Sequence, residues 1–584
     1  MSLVAGVDIG NATTEIVIVD TATLRPIAWD RCRTRGLKGS AEASRGAGRL
    51  LSRMQGRLPG VVACAILTHQ TPVLTRRLDL PTAPVDTGRL RSIATPSATP
   101  GGAGFAVGRP LDVDLSPQQA LSLADAEPVI AISRDPLGYR HTVATVDRWL
   151  AAGVDVRGVL LAGDEASLVD RRLQRGLPIV DGADAQAALA AGRIAIEVAE
   201  PGRTCRQASD PLRLAASLDL GPDEHAHASA MAASVTGLRS AAIARMADGA
   251  VEQRLPPAAA GILLADGRSY GLSQAAAVIE SGGSTLVGYL DDLGTRTAVS
   301  DLWLVDPSAL AAIPGLRQPA WLQHRVALST LDQRAAVDDH LDGMRSAWPG
   351  EVRLVGSEDR AALRGALSTP GVSPDALVVD LGGGTIDLVH ASGPGWTGAG
   401  SGDLMTMATA IATDSSRAAA EWIKRGPAWR IEAPHLAIDE SGDRRFLDAP
   451  AAQGSVGWLV TGGPSGELPF GRHLTGGEWR AIRLALKEQV FGRNARRGLR
   501  ALAACDWIGG PLSPSAGSVD VVLVGGPAGD DEIVEAMQAG LRHLPATPSI
   551  GRADVAGVLG HRWAVAYGLV LLAFGDDPGP GPLA

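Results

Sequence analysis

Short apolar runs broken by glycine, not long amphipathic repeats, set the rhythm of this chain. Residues 1–20, MSLVAGVDIGNATTEIVIVD, predict strand, Gly-Asn corner and strand, a β-hairpin. Residues 377–389, LVVDLGGGTIDLV, repeat that layout with three glycines at the corner and Asp380 and Asp387 at its edges. Residues 518–541, SVDVVLVGGPAGDDEIVEAMQAGL, predict strand, glycine turn and a helix with Ile533, Met537 and Leu541 on one face.

Further strand-like runs fill 61–86, and IATPSATPGGAGFAVG is too rich in Pro and Gly for the interior of an element, which marks a boundary. Within 111–240, PVIAIS, VRGVLLAGD, LPIV and RIAIEVA alternate with helical stretches such as TVDRWLAAG and predict a separate α/β module. RSAAIARMADGAVEQRL predicts a hairpin with an Asp-Gly turn, followed by a helix-rich stretch to about 365. Residues 401–500 read as mostly helical, including DSSRAAAEWIKRG, with Asp414 as its cap and Gly426-Pro427 as its stop. The division that follows is 1–86, 241–400 and 501–584 as segments of one domain, with 87–240 inserted and 401–500 a helical linker. A small insert falls near 285–345.

At 584 residues, several domains are expected, and 45% hydrophobic with 20% charged residues are values of a soluble folded protein. The net charge is -9 with no basic stripe, which argues against nucleic acid as a partner. The basic side chains are nearly all arginine, Lys38, Lys424 and Lys487 being the only lysines. Cys32, Cys64, Cys205 and Cys505 are scattered, which supports neither a disulfide framework nor a zinc site. Apolar runs are short or broken by charge and the opening has no basic leader region, so no membrane association and a cytoplasmic location are expected.

The chemistry lies in the glycine turns. Each follows an apolar strand, where glycine lets backbone N–H groups approach an anion. The first two carry Asp8 and Asp380 at the strand end, and two carboxylates facing phosphates across a cleft suit a hydrated Mg²⁺. One of them could also orient an attacking water. No GxxxxGK[ST] motif occurs.

This order of turns resembles the actin, heat-shock-70 and sugar-kinase superfamily, in which two phosphate loops come from related lobes and a third turn holds adenosine. GLKGS, ATPGGAGFAVG, GVLLAGDEASLVDRRLQRGLPIVD, IEVAEPG, GALSTPG, GAGSGDLMTMATA and LVGGPAGDDEIVEAM together resemble the large subunit of diol and glycerol dehydratase-reactivating factors. The similarity runs nearly end to end. It implies a two-lobed actin-like (ribonuclease H-like) α/β ATPase domain with an inserted swivelling α/β domain and a helical linker. It also implies a slow ATPase that drives a chaperone cycle. ADP-bound factor would expel adenosyl-lacking cobalamin from an inactivated coenzyme B12-dependent dehydratase, and ATP would release the factor. The implied partners are a small subunit, in a heterotetramer of two large and two small chains, and the dehydratase itself.

By position, the resemblance places ATP/ADP contacts on Asn11, Ala12 and Thr13, on Gly382, Gly383, Gly384 and Thr385, and on Glu421, Trp422, Ile423 and Lys424. It adds Gly525, Gly526, Pro527 and Arg562, and a Mg²⁺ or Ca²⁺ site in the inserted module on Thr99, Asp164 and Asp181. Asp8 and Asp380 are the expected catalytic carboxylates. Two departures stand out: DLGGGTID where the family is closer to DLGAGSTD, and Pro527 where serine is usual. The alternative is a sugar or polyol kinase of the same superfamily, which needs a catalytic base that this sequence does not reveal.

Overall fold

The computed structural model describes residues 2–79, 86–94, 100–134, 138–200, 203–235, 238–246, 261–264, 267–272, 275, 278–280, 287–292, 295–305, 310, 325–331, 339–472, 474–504, 517–542, 544 and 546–574. The chain divides into two compact units. One comprises Met1–Leu78, Ala260–Leu310 and Val326–Ala584, and the other Asp79–Ala259 with Ala311–Arg325.

Two sheets of identical topology build the first unit. In one, β1 (Leu3–Ile9), β2 (Thr13–Asp20) and β3 (Arg25–Arg33) form an antiparallel meander, and β4 (Val62–Leu67) and β5 (Glu351–Leu354) extend it in parallel beyond β1. In the other, β6 (Leu377–Leu381), β7 (Thr385–Val389) and β8 (Trp396–Ala399) form the meander, and β9 (Ser518–Val524) and β10 (Thr547–Arg552) the parallel extension.

The uniform hydrophobicity of β1 has a packing cause. Leu3, Ala5, Val7 and Ile9 pack with helix α1 (Ala41–Gln55), whereas Val4 packs in a second cluster with α2 (Glu358–Ala366) and α7 (Ala564–Phe574). Side chains alternate between faces, so a strand covered on both sides needs apolar residues throughout. The second cluster also takes Val378, Val389, Val522 and Val524, so one core serves both sheets. There α2 and α7 cross closely: a Cβ on Gly568 would lie 1.8 Å from the Ala361 carbonyl oxygen and one on Gly365 1.9 Å from that of Ala564.

The second unit holds an eight-stranded sheet, ordered Ile179–Val180, Val156–Leu161, Val129–Ser133, Gly104–Asp112, Ala191–Val198, Ser240–Met246, Leu90–Ser92, Asp86–Thr87. Its first four strands are parallel and the rest antiparallel. The α/β elements expected here are present. Ser240–Met246 lies inside this sheet, so the module extends past the expected edge at 240, while the Asp-Gly turn proposed after it lies outside the described residues.

Two helical expectations change. Among described residues, 261–331 are mostly strand, with helix at 272, 275 and 278–280: Gly261–Leu264, Ser269–Gly271, Val287–Asp292 and Thr295–Ala298 make one sheet, and Asp301–Val305 pairs with Arg325–Leu331. Runs such as DLWLV and RVALSTL are too short for helices and rich in β-formers. Residues 401–500 are helical at both ends, through α3 (Gly402–Thr413), α4 (Arg417–Ile423), α5 (Gly476–Lys487) and a helix over Arg493–Ala504, but 429–470 form a five-stranded antiparallel sheet. The cap of α4 is Ser416, which accepts from the Ala419 N–H, while Asp414 ends α3 in left-handed backbone at φ 47°.

Candidate functional site

The two hairpins carry the same eight-residue pattern, Asp-x-Gly-x-x-Thr-x-acid, in DIGNATTE (8–15) and DLGGGTID (380–387). Asp8 faces Glu15 across β1 and β2, and Asp380 faces Asp387 across β6 and β7. In each turn a glycine N–H closes on a threonine carbonyl, Gly10 on Thr13 at 2.9 Å and Gly382 on Thr385 at 3.0 Å. Each threonine hydroxyl donates to the acid two residues on, Thr13 to Glu15 at 2.7 Å and Thr385 to Asp387 at 2.9 Å.

The corners meet tip to tip. A Cβ on Gly383 would sit 3.0 Å from the Ala12 nitrogen, and one on Gly384 2.7 Å from Asn11 Nδ2. Here glycine is required by close approach. Behind the second corner, the N–H groups of Gly402, Asp403 and Gly400 donate to the carbonyls of Gly382, Gly383 and Gly384 at 3.3, 2.7 and 2.7 Å. In a trans peptide the N–H opposes the C=O, so the N–H groups of Gly383 and Gly384, two residues of the cavity lining, point away from the 400–403 turn. That is an anion-binding arrangement.

The third turn begins at Gly525, whose φ of +87° suits glycine, and a Cβ there would lie 2.6 Å from Asp380 Oδ1. His561 anchors it, with its Nδ1 2.8 Å from the Gly525 carbonyl oxygen. Asp530, past the short turn Pro527–Gly529, caps helix α6 (Asp531–Leu541) through the N–H groups of Glu532 and Ile533.

All three turns open on one cavity of about 640 Å³. Of the expected site residues, Asp8, Asn11, Ala12, Thr13, Asp380, Gly382, Gly383, Gly384, Thr385, Glu421, Lys424, Gly525, Gly526, Pro527 and Arg562 line it. Trp422 and Ile423 are not among the lining residues. On α4 only positions three or four apart share a face, so Glu421 and Lys424 reach the cavity while Ile423 is buried in the core and Trp422 stacks under Arg425. Lys424 Nζ is held by Glu421 at 2.7 Å, Thr406 Oγ1 at 2.7 Å and the Gly402 carbonyl at 3.1 Å.

The sequence reading missed several lining residues. Lys38 and Glu358 form an ion pair at 2.6 Å, with Lys38 buried. Arg483 and Lys487 on α5 are fully buried; Arg483 grips Glu440 and Glu532, and Lys487 binds Asp530 at 2.6 Å and Glu532 at 2.7 Å. One sequence signal pointed here. The three lysines among 54 basic side chains all line this cavity. An ammonium is a compact point charge that fits between carboxylates where a planar guanidinium does not.

The charges are uneven. Burial first, then Glu358 and Glu15, push Asp8 well above the ordinary carboxylate range, with Lys38 opposing. Burial, Asp387 and Glu358 do the same to Asp380. Asp387 is pushed up to about 7, mainly by burial and then by Glu358, against hydrogen bonds from Thr397 and Thr385. Crowded carboxylates with one nearby ammonium are short of positive charge, and this all-oxygen donor set fits a hydrated Mg²⁺.

Of the other expected metal site, the described residues include Asp164 and Asp181 of the second unit. Asp181 is buried and accepts from the Ala166 N–H at 3.4 Å, Asp164 is exposed, and Thr99 lies outside the described residues. Among described residues no group of three His, Cys, Asp or Glu side chains is placed to hold a metal.

Paired hairpins of one topology, joined by a third glycine turn about a single cavity, define an actin-like nucleotide-binding fold. Comparison with known proteins narrows this. Residues 290–573 match the diol dehydratase reactivase ATPase-like domain and 92–251 the DD-reactivating factor swiveling domain. The chain is 29% identical to the diol dehydratase-reactivating factor large subunit of Klebsiella michiganensis and 28% identical to the propanediol dehydratase-reactivating factor large subunit of Salmonella typhimurium, each match covering 98% of both chains. Solved structures of a nucleotide-free diol dehydratase-reactivating factor and a glycerol dehydratase reactivase match at 25% identity, with TM-scores of 0.55 and 0.56. These matches cover 99% and 98% of this chain and 100% of each solved chain. The chain belongs to the family of dehydratase-reactivating factor large subunits. No helix among the described residues is long and apolar enough to cross a membrane.

Proposed function

We propose that this chain is the ATP-hydrolysing large subunit of a reactivase that clears adenosyl-lacking cobalamin from an inactivated coenzyme B12-dependent diol or glycerol dehydratase. The observation that carries the reading is the pair of matched hairpins on one cavity, in a chain similar end to end to reactivating-factor large subunits.

The N–H groups of Gly383 and Gly384 receive phosphate oxygens, and Asp8 and Asp380 hold the water shell of Mg²⁺, which supplies charge neutralisation when bound. Lys38 brings the only ammonium into this acidic end, and Glu358, once Lys38 turns to phosphate, is free to orient water. Glu421, Lys424, Gly525 to Pro527 and Arg562 take the nucleoside. Hydrolysis is slow because the useful output is a change in binding. ADP and ATP shift the population of client-binding forms through contacts that only the γ-phosphate makes. The chain works with a small subunit, in a heterotetramer, and in the cytoplasm. Asp164 and Asp181 remain candidates for a divalent cation completed by Thr99.

The test is recovery of a diol or glycerol dehydratase loaded with cyanocobalamin, on adding this chain, a small subunit, adenosylcobalamin, Mg²⁺ and ATP. Recovery that needs ATP and both subunits is expected. No recovery, with no client binding under ADP, would overturn the reading.

A further inference from the structure

The second glycine corner is held by the 400–403 turn, whose Gly402 and Asp403 themselves line the cavity, and that turn is itself fastened by residues outside the lining. Its three carbonyls rest on the 400–403 turn, as described above. That turn is fastened by Asn494, a fully buried residue whose Nδ2 donates to the carbonyls of Ala399 at 2.9 Å and Gly400 at 2.8 Å. Two carbonyls facing one side-chain atom require a two-hydrogen donor there, which fixes the orientation of the amide. Asn494 Oδ1 is buried with no protein partner among the described residues, so the residue retains an unsatisfied acceptor in order to make these two bonds.

A second brace acts one residue earlier in the turn. The Ala399 N–H donates to Asp301 at 2.6 Å, and Asp301 is gripped by Arg497 at 2.9 and 2.7 Å. Arg497 lies between the rings of Trp303 and Trp396, 4.9 and 5.0 Å from their centres. Asn494 and Arg497 are three residues apart, so one face of the helix Arg493–Ala504 presents both. A π-helical turn, Glu488–Gly492, joins this helix to α5, and the Trp303 indole N–H donates to the Gln489 carbonyl within it at 3.0 Å. Such turns insert an extra residue and so change which side chains face a neighbour. Here the cavity-lining Lys487 precedes the turn, Phe491 lies within it, and Asn494 and Arg497 follow it.

We propose that Asn494 is a positioning residue for phosphate binding: through the 400–403 turn it aims the N–H groups of Gly383 and Gly384 at the nucleotide phosphates. This rests on the nucleotide reading of the cavity. Asn494 touches no ligand, so its removal should weaken binding in proportion to the phosphates it helps to orient.

The test is calorimetric titration of the full-length chain and its Asn494→Leu variant with MgADP and with adenosine. The variant should bind MgADP about tenfold more weakly, as expected for two lost hydrogen bonds, and adenosine within about twofold of wild type. Asn494→Ser, which keeps a single short donor, gives the same comparison if the leucine variant does not fold. Equal losses for MgADP and adenosine would make Asn494 a general scaffold residue and overturn the proposal, as would unchanged MgADP affinity. A wild-type chain that binds no MgADP at all would instead sink the nucleotide reading itself.

Discussion

The two hairpins share a motif and a topology, yet their surroundings treat them differently. At the first, Glu15 has a guanidinium partner in Arg562 at 3.5 Å, and the corner is tethered by Asn11 to the Val73 carbonyl and by the Thr34 N–H to Ala12. At the second, Asp387 is held by the Thr385 and Thr397 hydroxyls, and three backbone N–H groups back the corner. The first is balanced by charge and the second by geometry. A repeated motif therefore fixes where backbone donors and acids stand, while burial and the partners each hairpin meets decide how those acids titrate.

The largest effect should come from removing the pair the hairpins share. Asp8→Ala and Asp380→Ala are each expected to lower ATP hydrolysis by about a hundredfold or more without unfolding the protein, measured by phosphate release and circular dichroism. Full activity in both would mean that the hairpins do not face the reacting phosphate.

Next is Lys38, the ammonium between the acids. Lys38→Ala should reduce hydrolysis by about tenfold to a hundredfold, and Lys38→Arg should not restore it, because a guanidinium does not fit the compact site against Glu358. Full rescue by arginine would reduce the role of Lys38 to charge alone.

The contrast between Glu15 and Asp387 predicts a pH dependence. Asp387 sits near 7 when folded, against 3.8 ordinarily, so between those values the folded chain holds a proton that the unfolded chain has lost. Stability of the nucleotide-free protein should then fall as pH rises from about 4 towards 7, by on the order of 1 kcal/mol per pH unit at most. Asp387→Asn should flatten that slope in denaturant titrations. An unchanged slope would assign it to another group.

The smallest effect concerns the geometric support of the second hairpin. Thr397→Val removes one of the two hydroxyls on Asp387 and should cost about 1 kcal/mol of stability above pH 7 and less below it, where the carboxyl is protonated. A cost equal at both pH values would separate Thr397 from the charge on Asp387.

Local physics made part of this legible in the sequence. Glycine after an apolar strand marked all three turns, and Asp8 and Asp380 stood out because an acid at the end of a buried strand needs a reason. Glu358 did not, since its partner Lys38 lies 320 residues away. Trp422 and Ile423 came from the resemblance by position, and helical spacing turns Glu421 and Lys424 towards the cavity instead. The sheet at 429–470 was missed because strands such as Leu436–Ile438 and Arg444–Phe446 are too short to show a period. Asn494 gives no sequence signal, because its value lies in two carbonyls about 95 residues earlier.

The most direct measurement is titration of ADP into the purified chain, with and without Mg²⁺, for wild type, Asp8→Ala and Asp380→Ala. The account predicts a single nucleotide per chain, tighter with Mg²⁺, and loss of that Mg²⁺ dependence in both variants. Mg²⁺-dependent binding that survives both substitutions would show that the paired hairpins are not the site.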